Sequence, residues 1–225
     1  MHYHGTPITP RAQLLRMAGR MFCVSFAAPQ DLATCLRIGQ SVMLDNGAFS
    51  VKTRGAVFDM AGFYAWIEPH LSHPHWAVVP DKIGGTVDEQ RAMVKTWPFR
   101  KSLGLPVWHL GLPIDYLLEL CDQWERVCFG STAQYWDIGG PAWCRRMDEA
   151  FNALSRTFGA QLPWVHGLRM LGQSSGPWPL ASADSVNVAR NFKDYGKCPD
   201  CVAMRIYSTN PPLQWNERPL QDQLC

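Results

Sequence analysis

The sequence predicts an α/β protein built as a single, compact (β/α)8 TIM-like barrel over residues 1–225. Eight apolar runs of strand length recur along the chain, and longer amphipathic stretches lie between most of them. No change in composition, internal repeat or low-complexity tract divides the 225 residues. Apolar strands that alternate with helices are typical of a parallel sheet buried on both faces. Eight such strands are the number that closes a barrel.

The strands are predicted from the apolar runs, in chain order, at 21–28, 42–49, 76–81, 106–111, 126–132, 164–170, 180–188 and 203–208. Helical periodicity predicts helices near 30–39, 58–70, 86–101, 114–124 and 142–158. Residues 171–179 read as a loop because of their Gly, Ser and Pro content. An open doubly wound sheet is the alternative, but no G-x-G-x-x-G motif follows the first predicted strand, and the sequence has no Walker loop.

Composition excludes several classes of protein. Hydrophobic residues make up 47% of the chain and charged residues 18%, which excludes intrinsic disorder. The formal charge is +2, so net charge by itself indicates no partner. The sequence shows no apolar run of membrane-spanning length and no signal-peptide pattern. We therefore expect a cytoplasmic protein without a membrane partner.

The eight cysteines are expected to be reduced thiols in that compartment. Cys198 and Cys201 form a C-x-x-C pair, but a zinc site needs two further ligands and only Cys225 follows them. The His70–His75 segment contains three histidines but is broken by Pro74 and matches no metal-binding helix motif. We therefore predict free thiols, no bound metal and no cofactor.

Three aspartates end predicted strands, at the positions where barrel enzymes carry their chemistry. They are Asp45, Asp81 and Asp184. Each also has a purely structural interpretation, because an aspartate after a strand often caps the next helix or forms a turn. Asp184 is the least readily explained in this way, since small and apolar residues surround it and an unpaired carboxylate there is costly.

Two histidines and two glycines end other predicted strands. His109 and His166 are either site residues or core histidines with satisfied ring nitrogens. Gly130 and Gly167 either relieve crowding or let a flat ligand approach the backbone. We expect all of these residues to meet the aspartates on one rim of the barrel.

The order of these motifs resembles the tRNA-guanine transglycosylase superfamily, over roughly residues 41–192. The likeness is greater to its DpdA-type DNA-guanine transglycosylases of bacteria and phages. Leu44–Phe49 (LDNGAF) is similar to the family's D-S-G-[GA]-[FY] strand end, and Val78–Asp81 stands at the place of its next aspartate. Val107–Gly111 stands where the family has a glutamine followed by glycines, and Phe129–Ser131 resembles the glycine pair that contacts the base.

Asp184 is followed by a short run that ends in Arg190, much like the family's nucleophilic aspartate. The chain also departs from the family, because Asn46 replaces a serine and His109 replaces the glutamine. The family's zinc subdomain, with three clustered cysteines and a histidine, is not reproduced by Cys198 and Cys201. That loss weakens a tRNA assignment.

The resemblance implies an enzyme that exchanges guanine in DNA, or in tRNA, for a 7-deazaguanine base such as a preQ0-like one. Asp184 is then the nucleophile, and Asp45 the acid and base that serves the purine. The resemblance leaves a homodimer open. The implied substrate-binding residues are Asp81, His109, Gly130, Ser131, Phe49, Gly167, Met170 and Arg190, and Tyr135 is a further residue that could stack on the base.

Three alternatives keep the barrel and change the function. In a nucleosidase or other N-glycosidase, water would resolve the same intermediate. A non-catalytic relative would only bind nucleic acid or a nucleobase, although the presence of both Asp45 and Asp184 argues against it. A metal-dependent hydrolase would use His109 together with the aspartates.

Overall fold

The computed structural model describes residues 1–193, 198–207 and 210–220. These residues form an α/β structure around one parallel sheet of nine strands. The strands are β1 (His2–Gly5), β2 (Met21–Ser25), β3 (Ser41–Asp45), β4 (Trp76–Val78), β5 (Gly104–Leu105), β6 (Val107–His109), β7 (Arg126–Gly130), β8 (Trp164–Gly167) and β9 (Ser182–Ser185).

Helices follow most of the strands and cover the outside of the sheet. They are α1 (Arg11–Leu15), α2 (Leu32–Ile38), α3 (Ala48–Arg54), α4 (Met60–Ile67), α5 (Val87–Lys95), α6 (Ile114–Gln123), α7 (Pro141–Phe158), α8 (Asn187–Asn191) and α9 (Pro199–Tyr207). Short 3-10 helices lie at Pro29–Asp31, Glu68–His70, Lys101–Leu103, Ala133–Tyr135 and Leu171–Gln173. Only the last of these lies between β8 and β9, where Gly and Pro residues disfavour an α-helix.

The sheet is nearly closed and barrel-shaped. Its strand order is β5-β4-β3-β2-β1-β9-β8-β7-β6, and only Pro106 separates β5 from β6 in the chain. The Pro106 carbonyl accepts a hydrogen bond from the Cys128 N–H of β7 at 2.8 Å, so the two ends of the sheet adjoin. Proline has no N–H to donate, which explains why the regular ladder is interrupted there. The architecture is compatible with a TIM-like barrel.

The strand β1 lies at the centre of this order, between β2 and β9. Its four residues are all buried, and two of them are His2 and His4. Apolar runs are the signal for a buried strand, and histidines hide that signal. The sequence prediction therefore misses β1.

Side chains along the strands alternate between two hydrophobic layers, as the pleat requires. One layer fills the inside of the barrel and consists of Tyr3, Cys23, Met43, Trp76, Val78, Leu105, Val107 and Cys128. The other layer joins the sheet to its helices and includes Phe22, Leu44, Trp108 and Phe129. Inside the barrel, the Trp76 Nε1–H donates to the Tyr3 hydroxyl at 2.8 Å, so the polar atoms of these large rings are satisfied.

The predicted strand at 203–208 is wrong for its described part, which belongs to the helix α9, while Ser208 lies outside the described residues. Pro199 opens this helix and Asp200 lies in its first turn, which are favourable positions for both residues. The other seven predicted strands each overlap an observed strand, and six of them contain it whole, since β3 begins at Ser41, one residue before the predicted start. Each of those observed strands is shorter than predicted, as in β3, which ends at Asp45 because α3 begins at Ala48.

The prediction of free thiols is wrong for Cys198 and Cys201, which form a disulfide across the start of α9. The two residues are three apart at a helix start, and their Cα atoms are 5.3 Å apart, within the range that a disulfide spans. The prediction is also wrong for Cys144, which is disulfide-bonded. Cys23, Cys35, Cys121 and Cys128 are free and buried, whereas Cys225 lies outside the described residues. Among the described residues, no helix combines the length and the apolar composition needed to cross a bilayer.

The buried histidine His4 makes the stability of the barrel depend on pH. Burial, followed by the positive neighbours His2 and Arg20, lowers the pKa of His4 to about 4. Between pH 6.5 and 4 the unfolded chain binds a proton at this residue that the folded chain does not, so the free energy of unfolding falls as the pH falls. The loss by pH 4 is about 3 kcal/mol.

We predict that His4→Phe removes this part of the pH dependence. Chemical denaturation of both proteins from pH 7.5 to 4.5 measures it, and the variant should gain stability relative to wild type as the pH falls. His73→Gln, at an exposed histidine, is the control and should follow wild type. A constant stability difference between His4→Phe and wild type across this range would contradict the prediction.

Candidate functional site

The carboxyl ends of the parallel strands bring the predicted site residues to one edge of the sheet. Asp45 is the last residue of β3, His109 of β6 and Gly130 of β7. Asp184 lies one residue before the end of β9, and Asp81 lies three residues after the end of β4. We call Asp45, Asp81 and Asp184 the acidic rim.

None of the three aspartates caps the helix that follows it. The helix α3 has Gly47 as its N-cap, and α8 has Val186. The helix α5 begins with a capping box of Thr86 and Glu89, five residues beyond Asp81. The capping interpretation of these carboxylates is therefore wrong, whereas the turn interpretation holds for Asp45, whose Oδ2 accepts from the Gly47 N–H two residues further on at 3.1 Å.

Asp45, at the end of β3, is a carboxyl group with a clearly raised pKa. Burial raises its pKa to about 6, and the negative charges of Asp184 and Asp81 act in the same direction. Hydrogen bonds from the Ser25 hydroxyl and the Gly47 N–H partly oppose that rise. The side chain can therefore gain or lose a proton close to neutral pH, which is the property required of a general acid or base.

Asp81 has hydrogen-bond partners on both carboxylate oxygens. The Asn46 Nδ2–H₂ group donates to its Oδ1 at 2.7 Å, and His109 Nε2 lies 2.9 Å from its Oδ2. Asn46 also donates to the Val79 carbonyl and accepts from the Ala48 N–H, so its amide is held at three points. Asn46 thus links the end of β3 to Asp81.

Asp184 is held by a buried histidine and by a backbone amide. His166 Nε2 lies 3.3 Å from its Oδ1, and the Arg169 N–H donates to the same oxygen at 2.9 Å. On the other side of the imidazole, His166 Nδ1 lies 2.5 Å from the Ser182 hydroxyl. Asp184 therefore has structural partners that its surroundings in the sequence do not show, and one of them, His166, is itself a predicted site residue.

The carboxylates act on the free thiols of the barrel interior. Burial raises the pKa of Cys23 and of Cys128 well above the usual value, and the charges of Asp45 and Asp184 add to the effect in both cases. Both thiols therefore remain protonated at neutral pH. They are unsuited to act as nucleophiles or metal ligands.

An exposed aromatic cluster lies beside the acidic rim. Phe49 of α3 and Trp136, which follows β7, stack with their ring centroids 5.6 Å apart. Phe49 is 43% exposed and Trp136 is 50% exposed. The Arg169 guanidinium lies 4.1 Å from the centre of the Trp136 ring and 5.4 Å from that of Phe49. Since the backbone of Arg169 bonds to Asp184, this residue joins the cluster to the acidic rim.

Arg169 adopts a backbone conformation that is rare for residues with a side chain. Its φ is +62°, in the left-handed region. This conformation accompanies both contacts of the residue, because its N–H meets Asp184 while its guanidinium donates to the Ser131 carbonyl at 3.2 Å. Strained backbone held by surrounding contacts is common at functional sites.

Several predicted substrate-binding residues do not face the acidic rim. Met170 is fully buried in the layer beneath the helices, and a side chain at Gly167 would lie 2.8 Å from it. The Ser131 hydroxyl accepts from the Trp143 Nε1–H of α7 at 2.9 Å. Arg190 is exposed on α8. Among the predicted glycines, Gly130 is the one beside His109, because a side chain there would lie 3.0 Å from Nδ1 of that histidine.

Sequence reasoning misses Trp136 and Ser182. Ser182 stands two residues before Asp184 on the same strand, so the period of the pleat was a usable signal. Trp136 lies in a loop, where no periodicity shows which way a side chain points. Tyr135, which precedes Trp136 and is expected to stack on the base, instead packs against the core, with its ring centre 5.7 Å from the Arg146 guanidinium.

No group of three or more His, Cys, Asp or Glu side chains in the described part of the chain is arranged to hold a metal ion. A cavity of about 550 Å³ opens at the other end of the sheet, beside the segments that enter β4 and β5. It is lined by Leu71, Ser72, His73, Pro98, Phe99, Arg100, Ser102 and Leu103. These residues precede their strands, so the cavity is remote from the acidic rim.

Comparison with known proteins adds no relative to this description. No family model, no curated protein and no solved structure matches the chain.

We predict that the pKa of Asp45 responds in opposite directions to two substitutions. Asp184→Asn removes a nearby negative charge and should lower this pKa, whereas Ser25→Ala removes a stabilising hydrogen bond and should raise it. Carbon-13 NMR titration of the Asp45 carboxyl measures both shifts. Asp122→Asn, at an exposed position of α6, is the control. Equal pKa values in all four proteins would disprove the described coupling.

Proposed function

We propose that this chain is a guanine transglycosylase that exchanges guanine in DNA for a 7-deazaguanine base through a covalent aspartyl-nucleotide intermediate. The observation that supports the proposal is the contrast between two carboxylates of one rim. Asp184 accepts hydrogen bonds from His166 and from the Arg169 N–H, whereas the pKa of Asp45 is raised to about 6. A carboxylate held in one position is suited to attack as a nucleophile, and a carboxyl group whose pKa lies near neutral pH is suited to give and take a proton.

In the first step, an Asp184 oxygen attacks C1′ of the target nucleotide as the bond from C1′ to the purine nitrogen breaks. The bonding electrons remain on the purine, which takes the proton of Asp45 and leaves as neutral guanine. In the second step, the N–H of the incoming 7-deazaguanine returns a proton to Asp45. The freed nitrogen attacks C1′ and releases the Asp184 carboxylate.

The exposed cluster of Phe49, Trp136 and Arg169 supports a nucleic-acid substrate. Aromatic faces stack on bases of any sequence, and arginine holds phosphates. A target base within a duplex must first be flipped out, at a cost of a few kcal/mol. Arg190 on α8 is exposed and suited to a phosphate contact. The proposal also treats β5 and β6 as one barrel strand broken at Pro106, which makes the nine strands an eight-stranded (β/α)8 barrel.

The nucleophile is tested by trapping labelled DNA on the protein in denaturing gels. Wild type should form an adduct, and Asp184→Asn should lower base exchange by at least about 10³-fold, because the amide is a poor nucleophile. Asp122→Asn should behave as wild type. Normal adduct formation by Asp184→Asn would remove Asp184 from this role.

Exchange is separated from hydrolysis by the same adduct. Incubation without a 7-deazaguanine should leave the adduct in place, whereas adding the base should discharge it with the new nucleotide incorporated. Release of guanine and loss of the adduct in water alone would instead identify a nucleosidase-type N-glycosidase. Nucleoside mass spectrometry of DNA and tRNA from cells that express the protein beside a 7-deazaguanine pathway distinguishes the two polymers.

We further predict that Asp45 acts in its protonated form when the adduct forms. Since its pKa is raised to about 6, the initial rate of adduct formation should fall as the pH rises from 5.5 to 7.5. Quenched time points at each pH measure this rate. Ser25→Ala, which raises the pKa, should move the fall to higher pH, and an unchanged profile in that variant would contradict the assignment.

A further inference from the structure

The ring of His109 carries a buried nitrogen without a hydrogen-bond partner. Among the described residues, its Nδ1 is one of the few buried side-chain atoms that are left unsatisfied. His109 is 4% exposed and stands at the end of β6, on the same edge as the acidic rim. Burying such an atom costs free energy, and a native exception calls for an explanation.

The partner of the other ring nitrogen determines what Nδ1 can do. The Asp81 carboxylate only accepts hydrogen bonds, so the contact of 2.9 Å between its Oδ2 and His109 Nε2 places the proton on Nε2. In the neutral imidazole, Nδ1 then carries a lone pair and is an acceptor. Gly130 packs against this side of the ring, and its lack of a side chain keeps Nδ1 from being blocked, because a Cβ there would stand only 3.0 Å from that nitrogen.

Asp81 itself is poorly placed to bind a base directly. Its Oδ1 is bonded to Asn46 at 2.7 Å and its Oδ2 to His109, and its side chain is only 7% exposed. Asn46 is in turn fixed by Val79 and Ala48. The chain Asn46–Asp81–His109 therefore ends at Nδ1, a buried atom with no hydrogen-bond partner, whereas each carboxylate oxygen of Asp81 already has one.

Resting on the proposed function, we propose that His109 Nδ1 is the acceptor that reads the N1–H of a guanine-type base, and that Asp81 is a positioning residue that acts through His109. Guanine carries a hydrogen at N1, whereas adenine presents a lone pair there. An adenine-type base would therefore set two lone pairs against each other and be rejected. Asn46 keeps Asp81 aligned, which orients the imidazole in turn.

Two substitutions of His109 separate this role from a merely structural one. In His109→Gln, the amide nitrogen can replace Nε2 and keep the bond to Asp81, but the Nδ1 acceptor is lost. In His109→Asn, the amide oxygen stands near the place of Nδ1, but the bond to Asp81 is lost. We expect His109→Gln to lower the preference for guanosine over adenosine by about tenfold to a hundredfold, and His109→Asn to retain more of it.

Binding of guanosine and adenosine is measured by calorimetry, with His73→Gln as the control. A double-mutant cycle adds Asp81→Asn. Because Asp81 acts through His109, this substitution should change selectivity in wild type but have little further effect in His109→Gln. Additive effects, or better selectivity in His109→Gln than in His109→Asn, would overturn the proposal.

Nitrogen-15 NMR of histidine-labelled protein supplies a readout that does not depend on catalysis. Neutral His109, assigned by the signal lost in His109→Gln, should be protonated at Nε2, and guanosine should shift its Nδ1 resonance. A proton on Nδ1, or no shift at saturating guanosine, overturns the assignment. If the adduct forms at Asp184 but the effects of His109→Gln and Asp81→Asn on selectivity are additive, this inference is overturned and the proposed function is not. Failure of guanosine to bind would overturn the inference, whereas loss of adduct formation alone would count against only the function.

Discussion

The pairing of β1 with two neighbours holds the two halves of the sheet together. Strands β2 to β5 lie on one side of it and β6 to β9 on the other, and the chain passes directly from β5 to β6 through Pro106. Asp45 belongs to the first half and Asp184 to the second, and β1 with its neighbours β2 and β9 is the part of the sheet that lies between their strands. This strand contains two buried histidines, whose pKa values are both lowered to about 4. The barrel therefore depends on keeping these side chains neutral.

The acidic rim places three carboxylates close enough together for Asp81 and Asp184 to raise the pKa of Asp45. Each of the three has its own hydrogen-bond partners. Asp81 is bonded on both oxygens by Asn46 and His109, and Asp184 is bonded by His166 and the Arg169 N–H. Asp45 accepts from the Ser25 hydroxyl and the Gly47 N–H, but burial outweighs these bonds and, with the neighbouring charges, raises its pKa to about 6. Like charges in a shared site oppose full ionisation, and the charges of Asp184 and Asp81 contribute in this way to the raised pKa of Asp45.

The contacts of Arg169 connect the inside of the barrel to its surface. Its backbone bonds to Asp184, its guanidinium bonds to the Ser131 carbonyl, and the aromatic rings of Phe49 and Trp136 lie beside that charge. Desolvation lowers the pKa of this arginine, while Asp184 opposes the effect. Arg169 is therefore the residue that contacts both the aromatic rings on the surface and the Asp184 carboxylate.

The sequence by itself determined the α/β class, the approximate places of seven strands and the polar residues at their carboxyl ends. These features follow from local patterns, since apolar runs and the side chains after them are properties of short segments. Only the tertiary structure decided that His2–Gly5 is a strand, that residues 203–207 are helical, and that Asp81 is bonded on both oxygens. The partners in these cases come from distant segments, as when Asn46 reaches Asp81 or His166 reaches Asp184. Their effects on burial and charge arise only when the barrel brings those segments together.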